Sequence, residues 1–279
     1  MELLPLQYEP ILLNALAEDI GAGDVTTQFT VPDEAMARGV LLAKAPGVVA
    51  GLAVACRVFT LVEHRAMWEP HVDDGEIVTP GTPLATITGP ARGLLTAERV
   101  ALNVLQRMSG TATLTARFVE KVDGTKARIV DTRKTTPGLR VLEKYAVRVG
   151  GGFNHRIGLY DMILIKDNHL IAGEGVRATV ERARRATGHA LKIEVECKTL
   201  DEVDEAVAAR ADILLLDNMD LETLAEAVRR VGGRALTEAS GGVNLDTVAD
   251  IARAGVDLIS VGALTHSAPA LDISLDFQM

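Results

Sequence analysis

Seven lysines and arginines fall between Asp131 and His169: Arg133, Lys134, Arg140, Lys144, Arg148, Arg156 and Lys166, against four acids. This segment carries +3, which leaves −12 for the rest of a chain whose net charge is −9. A basic island in an acidic chain addresses a small polyanion, because the surrounding negative field turns bulk polyanions away. Arg133 and Arg156 can each grip a carboxylate or phosphate through paired N–H donors, while Lys134 and Lys166 act as point charges and His155 can donate beside them. Glu196 and Asp217 can hold Mg²⁺ directly or through water, since this ion takes one or two carboxylates together with substrate phosphates. Ser240-Gly241-Gly242 and Gly262-Ala263 offer backbone N–H groups to a phosphate, with His266 as a further donor. The ordinary alternatives are a solvated basic face for the island and structural ion pairing for the two acids.

These residues need a scaffold that brings them to one place. From residue 127 onward a unit repeats: a short apolar run, a polar cluster at its end, then a helical stretch. The runs are 127–130, 162–165, 191–195, 211–216, 234–239 and 256–261. Continuous apolar runs are what strands buried on both faces require, and strand–helix alternation points to an α/β barrel or a doubly wound sheet. The runs end at Asp131, Lys166, Glu196, Asp217, Ser240 and Gly262. Chemistry-bearing residues at the C-terminal ends of parallel strands form the ring on which α/β barrels build active sites. Gly150-Gly151-Gly152, just before Phe153-Asn154-His155-Arg156, permits close backbone approach but is by itself only a loop signal.

The first third reads differently. Ile11, Leu12, Ala15, Leu16 and Ile20 have helical spacing. Residues 25–90 are rich in Val, Thr, Gly and Pro, with apolar runs at 40–43, 48–54 and 84–88, and predict a strand-dominated region. Within it, residues 73–87 resemble the hairpin of a biotinyl or lipoyl carrier domain, yet no lysine stands there to be modified, so a plain β-hairpin is expected. Thr96 is read as the cap of a helix through Met108, and Ser109-Gly110 as a break before a second helix reaching Val122.

Composition excludes several function classes. A hydrophobic fraction of 48% and a charged fraction of 24% are ordinary globular values, which rules out disorder or coiled coil for the whole chain. The acidic balance and only nine aromatics argue against a nucleic-acid partner. The longest apolar stretch, Gly47–Cys56, is far short of the ~20 residues a bilayer demands, so no membrane association is expected. Cys56 and Cys197 sit in apolar runs without CxxC spacing and are read as reduced core residues, which suits the cytoplasm. No GxSxG, P-loop or Rossmann signature is present.

The segment DTRKTTPGLRVLEKYAVRVGGGFNHRIGLYDMILIKDNH (131–169) resembles the quinolinate phosphoribosyltransferases. The likeness extends through GDVTT (23–27), AERVALNVLQRMSG (97–110), EVEC (194–197), LLLDN (214–218), EASGGV (238–243) and SVGALTHSAPALDISLDF (260–277). The resemblance implies an incomplete, six- to seven-stranded α/β barrel plus an N-terminal open-faced α/β sandwich. The expected domains are 1–112, with the tail 268–279 returning to it, and a catalytic barrel at 113–267. It also implies a homodimer, and in some members a hexamer, with an active site shared between subunits. The implied activity is transfer of phosphoribosyl from phosphoribosyl pyrophosphate to quinolinate, with loss of the 2-carboxylate, in NAD biosynthesis. A pyrophosphorylase of the same fold acting on another anionic substrate is the alternative. By position, Arg99, Arg133, His155 and Arg156 would bind the two carboxylates, with Arg99 presented across the dimer interface. Lys134 and Lys166 would line the reacting centre, and Glu196 and Asp217 the ribose and Mg²⁺. Ser240, Gly241, Gly242, Gly262, Ala263 and His266 would hold the 5′-phosphate.

Overall fold

The computed structural model describes residues 3–278; residues 1, 2 and 279, which the expected spans 1–112 and 268–279 include, lie outside the described residues. In chain order the first elements are α1 (Pro5–Ile20), α2 (Val25–Thr30), β1 (Met36–Ala43), β2 (Gly47–Val48), α3 (Leu52–Val62), β3 (Met67–Pro70), β4 (Ile77–Val78), β5 (Pro83–Pro90) and α4 (Ala91–Lys121). They are followed by β6 (Arg128–Val130), α5 (Arg140–Val149), β7 (Ile163–Ile165), α6 (Asp167–Ala172), α7 (Val176–Thr187), β8 (Ile193–Cys197) and α8 (Leu200–Ala208). The chain ends with β9 (Ile213–Asp217), α9 (Leu221–Val231), β10 (Leu236–Ser240), α10 (Val248–Arg253), β11 (Leu258–Ser260), α11 (Ala263–His266) and β12 (Ile273–Gln278).

Two units result. The first takes residues up to 116, 135–151 and those from 264 onward; the second takes 117–134 and 152–263. The division therefore differs from a cut at residue 112: 113–116, 135–151 and 264–267 go with the first unit. The reason is visible in α5, whose Leu142 and Ala146 are buried in the same hydrophobic cluster as Leu12, Phe59 and Leu105.

The first unit carries an antiparallel sheet in the order β12-β1-β5-β3, so a strand from the tail pairs with β1. Three expectations change here. The run 48–54 is not one strand: β2 ends at Val48, and Gly51, at φ +102°, turns the chain into α3. The segment 73–87 does not fold as a hairpin, because β4 pairs with β2 while β5 lies between β1 and β3. Asp74 explains that path: its carboxylate accepts the N–H groups of Gly51 (2.8 Å) and Leu52 (3.0 Å), two of the orphan donors that open α3. Finally, α4 is one 31-residue helix that starts at Ala91 and runs through Ser109-Gly110 without a break. Thr96 caps nothing; its hydroxyl bonds Asp24. Ser109 faces inward to the Ala50 amide, and Gly110 is required because a Cβ there would collide with the Pro269 carbonyl.

The second unit is a six-stranded, all-parallel sheet in the order β6-β11-β10-β9-β8-β7. Each of the six apolar runs supplies one strand. The two ends of this order, β6 and β7, are not joined by a ladder, which leaves the barrel incomplete. Phe153 adds a one-residue parallel bridge on the outer side of β6, donating to the Ile129 carbonyl (2.8 Å) and accepting from Asp131 (3.1 Å). Residues 154–162 then carry the chain to β7 on the opposite edge.

Candidate active site

Strand register sets the layers of the site. In a parallel sheet paired residues share a face and successive residues alternate between faces. Glu196 pairs with Leu215, and Leu215 with Glu238; Asp217 pairs with Ser240 one layer nearer the strand ends. Glu194 lies one layer deeper, between Leu164 and Ile213. Chemistry-bearing residues two apart on β8, β9 and β10 therefore point to one side, while Val195, Leu214, Leu216 and Ala239 pack on the other.

That side lines a cavity of about 500 Å³. Around it stand Arg133, Lys134, His155, Arg156, Lys166, Glu196, Asp217 and the Ser240-Gly241-Gly242 turn. Ten of the fourteen expected site residues thus meet. Gly262 and Ala263 follow β11 at the same end of the sheet but do not line the cavity. Arg99, exposed on α4, and His266, exposed and 2.5 Å from the Ser267 hydroxyl, belong to the first unit.

The cavity has two electrical layers. At its mouth, burial and the neighbouring Arg133 cation pull Arg156 below the ordinary guanidinium range, partly offset by Glu194 and Asp161. Two guanidiniums held close enough to disfavour one another are arranged for an anion. Glu196 is pushed upward by burial and then by the charge of Asp217, a repulsion that a shared cation relieves. This donor set fits Mg²⁺: two carboxylates, Glu196 and Asp217, that line one cavity and repel one another. Asn218 holds Asp217 in place, donating from Nδ2 to Oδ2 at 2.8 Å, and adopts φ +55° with its N–H on the Ser240 carbonyl. Lys198 bridges Asp167 (2.7 Å) and approaches Glu196 (3.8 Å).

The floor is acidic, and sequence reasoning missed most of it. Asp131, Glu194 and Glu238 are each at most 1% exposed. Asp131, expected in the ring of strand ends, does not line the cavity; it accepts from Asn154 Nδ2 (2.6 Å) and from the His155 amide (2.9 Å), anchoring the segment that presents His155 and Arg156. His155 Nε2 lies 3.0 Å from Glu194 and 3.5 Å from Glu238, while its Nδ1 accepts the Arg156 N–H at 2.8 Å. Nδ1 is thus engaged, and Nε2 faces two buried carboxyls whose oxygens have no hydrogen-bond partner among the described residues. The signal for Glu194 and Glu238 was present as a period of two, Glu194-Val195-Glu196 and Glu238-Ala239-Ser240, hidden by treating each run as uniformly apolar.

Comparison with known proteins agrees with this architecture. Residues 24–109 match the family model of the quinolinate phosphoribosyl transferase N-terminal domain, and residues 111–276 that of the C-terminal domain. The chain belongs to the quinolinate phosphoribosyltransferase family. A nicotinate-nucleotide pyrophosphorylase (carboxylating) of Mycobacterium leprae is 48% identical over 270 residues, 94% of each chain. The solved structure of NadC from Streptococcus pyogenes superposes with a TM-score of 0.96 at 42% identity, covering 100% of this chain and 99% of that one. The nicotinate-nucleotide pyrophosphorylase from Francisella tularensis gives the same TM-score at 37% identity, covering 99% of this chain and 98% of that one. Family membership accounts for the pairing of an incomplete parallel barrel with a separate antiparallel sheet. Among the described residues no helix is long and apolar enough to cross a membrane.

Proposed function

We propose that this chain transfers the phosphoribosyl group of phosphoribosyl pyrophosphate to quinolinate with loss of the 2-carboxylate, giving nicotinate mononucleotide, pyrophosphate and CO₂. The observation that carries the reading is the convergence of Arg133 and Arg156 on one cavity with Lys134, Lys166 and the Ser240-Gly241-Gly242 turn. That cavity supplies paired donors for a dicarboxylate next to fixed positive charge for a diphosphate.

In this mechanism Arg133 and Arg156 orient the two carboxylates, with His155 shaping the cavity wall beside them. Ser240, Gly241 and Gly242 hold the 5′-phosphate. Glu196 and Asp217 face the ribose and would hold Mg²⁺, which when bound supplies neutralising charge to the pyrophosphate. Lys134 and Lys166 stand where charge develops as pyrophosphate leaves the anomeric carbon. The ring nitrogen attacks that carbon, and positioning of two bound reactants supplies much of the acceleration. The resulting pyridinium ring accepts the electron pair left by CO₂, so no organic cofactor is required. The protein acts as a cytoplasmic homodimer, with further assembly to a hexamer open to it, and Arg99 completes the carboxylate site of the partner subunit.

The test is one assay of purified protein with quinolinate, phosphoribosyl pyrophosphate and Mg²⁺, following labelled CO₂ and nicotinate mononucleotide together. Equal release of both, with no turnover of nicotinate, is expected. No turnover of quinolinate by folded protein would overturn the reading.

A further inference from the structure

Decarboxylation sets a demand that the cations of the cavity do not meet. When the C2–carboxylate bond breaks, the electron pair stays on ring carbon C2 and must take a proton. Arg133 and Arg156 are committed as cations, and Lys134 and Lys166 serve the pyrophosphate. With Glu196 and Asp217 assigned to the ribose and Mg²⁺, the acid–base groups left are His155 and Glu238 with Glu194 behind them, whose ligating atoms lie within 4.8 Å of one another.

Such a cluster can be a metal seat or a proton site, and the hydrogen bonds decide between them. His155 Nδ1 accepts the Arg156 N–H, so the ring proton of the neutral imidazole sits on Nε2. Nε2 then carries the proton, 3.0 Å from Glu194 and 3.5 Å from Glu238, and has no lone pair for a cation. Of the two carboxyls, Glu238 lines the cavity and Glu194 does not. Burial, followed by the charge of Glu194, pushes Glu238 far above the ordinary carboxylate range. A desolvated carboxyl beside a second carboxyl keeps its proton at neutral pH.

We propose that Glu238 is the acid that delivers the proton to C2 as CO₂ departs, with Glu194 and His155 as its positioning residues. The inference rests on the quinolinate reading above. The C2–CO₂ bond breaks and its electrons form a C2–H bond, while the Glu238 O–H bond breaks and leaves a carboxylate. The new charge on Glu238 forms 3.5 Å from His155 Nε2. Solvent restores the proton once product has left.

The experiment separates the two chemical steps. In a single turnover with quinolinate, phosphoribosyl pyrophosphate and Mg²⁺, the wild-type protein forms pyrophosphate and nicotinate mononucleotide in equal amounts; failure at this point counts against the quinolinate reading, not against Glu238. In Glu238→Gln the ratio of nicotinate mononucleotide to pyrophosphate formed should fall about 100-fold, the scale of a lost general acid. A nucleotide retaining both carboxylates should accumulate, and Glu238→Asp should recover part of the ratio. An unchanged ratio in Glu238→Gln overturns the proposal. Should Glu238→Gln fail to fold, the wild-type pH profile decides. The rate of CO₂ release should fall as Glu238 loses its proton above neutral pH, while pyrophosphate release does not follow it. A CO₂ step flat from pH 6 to about 9.5 overturns the assignment.

Discussion

Asp131, at the end of β6, accepts the backbone N–H of His155 at 2.9 Å across 24 residues of chain. The same carboxylate takes Asn154 Nδ2 at 2.6 Å. One fully buried acid thereby ties down the segment that carries His155 and Arg156.

Replacing this anchor should damage folding and activity together. Asp131→Ala removes the acceptor of two part-buried hydrogen bonds, each worth about 1–3 kcal/mol as a bond to a charged group. Urea unfolding should show that loss, and kcat/KM for quinolinate should drop with it. Asp131→Asn, which keeps one carbonyl oxygen, should fall between. Wild-type stability in Asp131→Ala would mean that the segment is held by other contacts.

The cavity arginines are tested through turnover. The Arg133 cation helps pull Arg156 below the ordinary guanidinium range, so the two crowd one site in the free protein. In Arg133→Ala, loss of a paired, charge-assisted contact of about 3 kcal/mol should lower kcat/KM for quinolinate roughly 100-fold. Arg133→Lys should not restore it, because an ammonium cannot reproduce the planar fork. Full activity in Arg133→Lys would show that charge alone suffices.

Much of this is legible in the sequence. Six apolar runs gave six parallel strands, because a run buried on both faces has few other uses. The polar residues after them converged, because strand ends share one rim of a sheet. What was hidden depended on partners distant in sequence. Gly110 looks like a helix breaker until Pro269 packs on it. Asp74 looks like a turn residue until it caps a helix 22 residues earlier. Glu194 and Glu238 look like surface acids in a strand until the register turns them inward to His155.

The Ser240-Gly241-Gly242 turn, proposed to hold the 5′-phosphate, makes a graded prediction. Gly241 and Gly242 both have positive φ, +100° and +61°, where side chains are strained. At Gly241 an added Cβ would also collide with the Asn218 side chain, whereas at Gly242 it meets open space. Gly241→Ala should therefore raise KM for phosphoribosyl pyrophosphate about tenfold or more and displace Asn218 from Asp217. Gly242→Ala, carrying backbone strain of about 1 kcal/mol alone, should have the smaller effect. Steady-state kinetics on the two variants checks the order, and a reversed order would refute the collision argument.

Acid stability offers a test in the first unit. Glu63, 9% exposed at the end of α3, accepts the Arg65 amide, Nε and Nη2, each at 3.0 Å. The side-chain bonds from Arg65, then its amide, hold Glu63 down at about 2 from an ordinary 4.5. The folded state therefore prefers the carboxylate more strongly than the unfolded chain does. That preference stabilises the fold fully above pH 4.5 and is lost as pH falls from there toward 2. Glu63→Gln should be less stable than wild type at pH 7 by roughly 1 kcal/mol, since Arg65 remains largely in solvent. The gap should narrow steadily between pH 5 and 2, because protonated Glu63 and the amide of the variant both present a neutral side chain to Arg65. Chemical denaturation of the two proteins at pH 7, 4 and 2.5 measures it, and a gap that stays constant or widens in acid would assign the stability of this corner to packing rather than to the Glu63 charge.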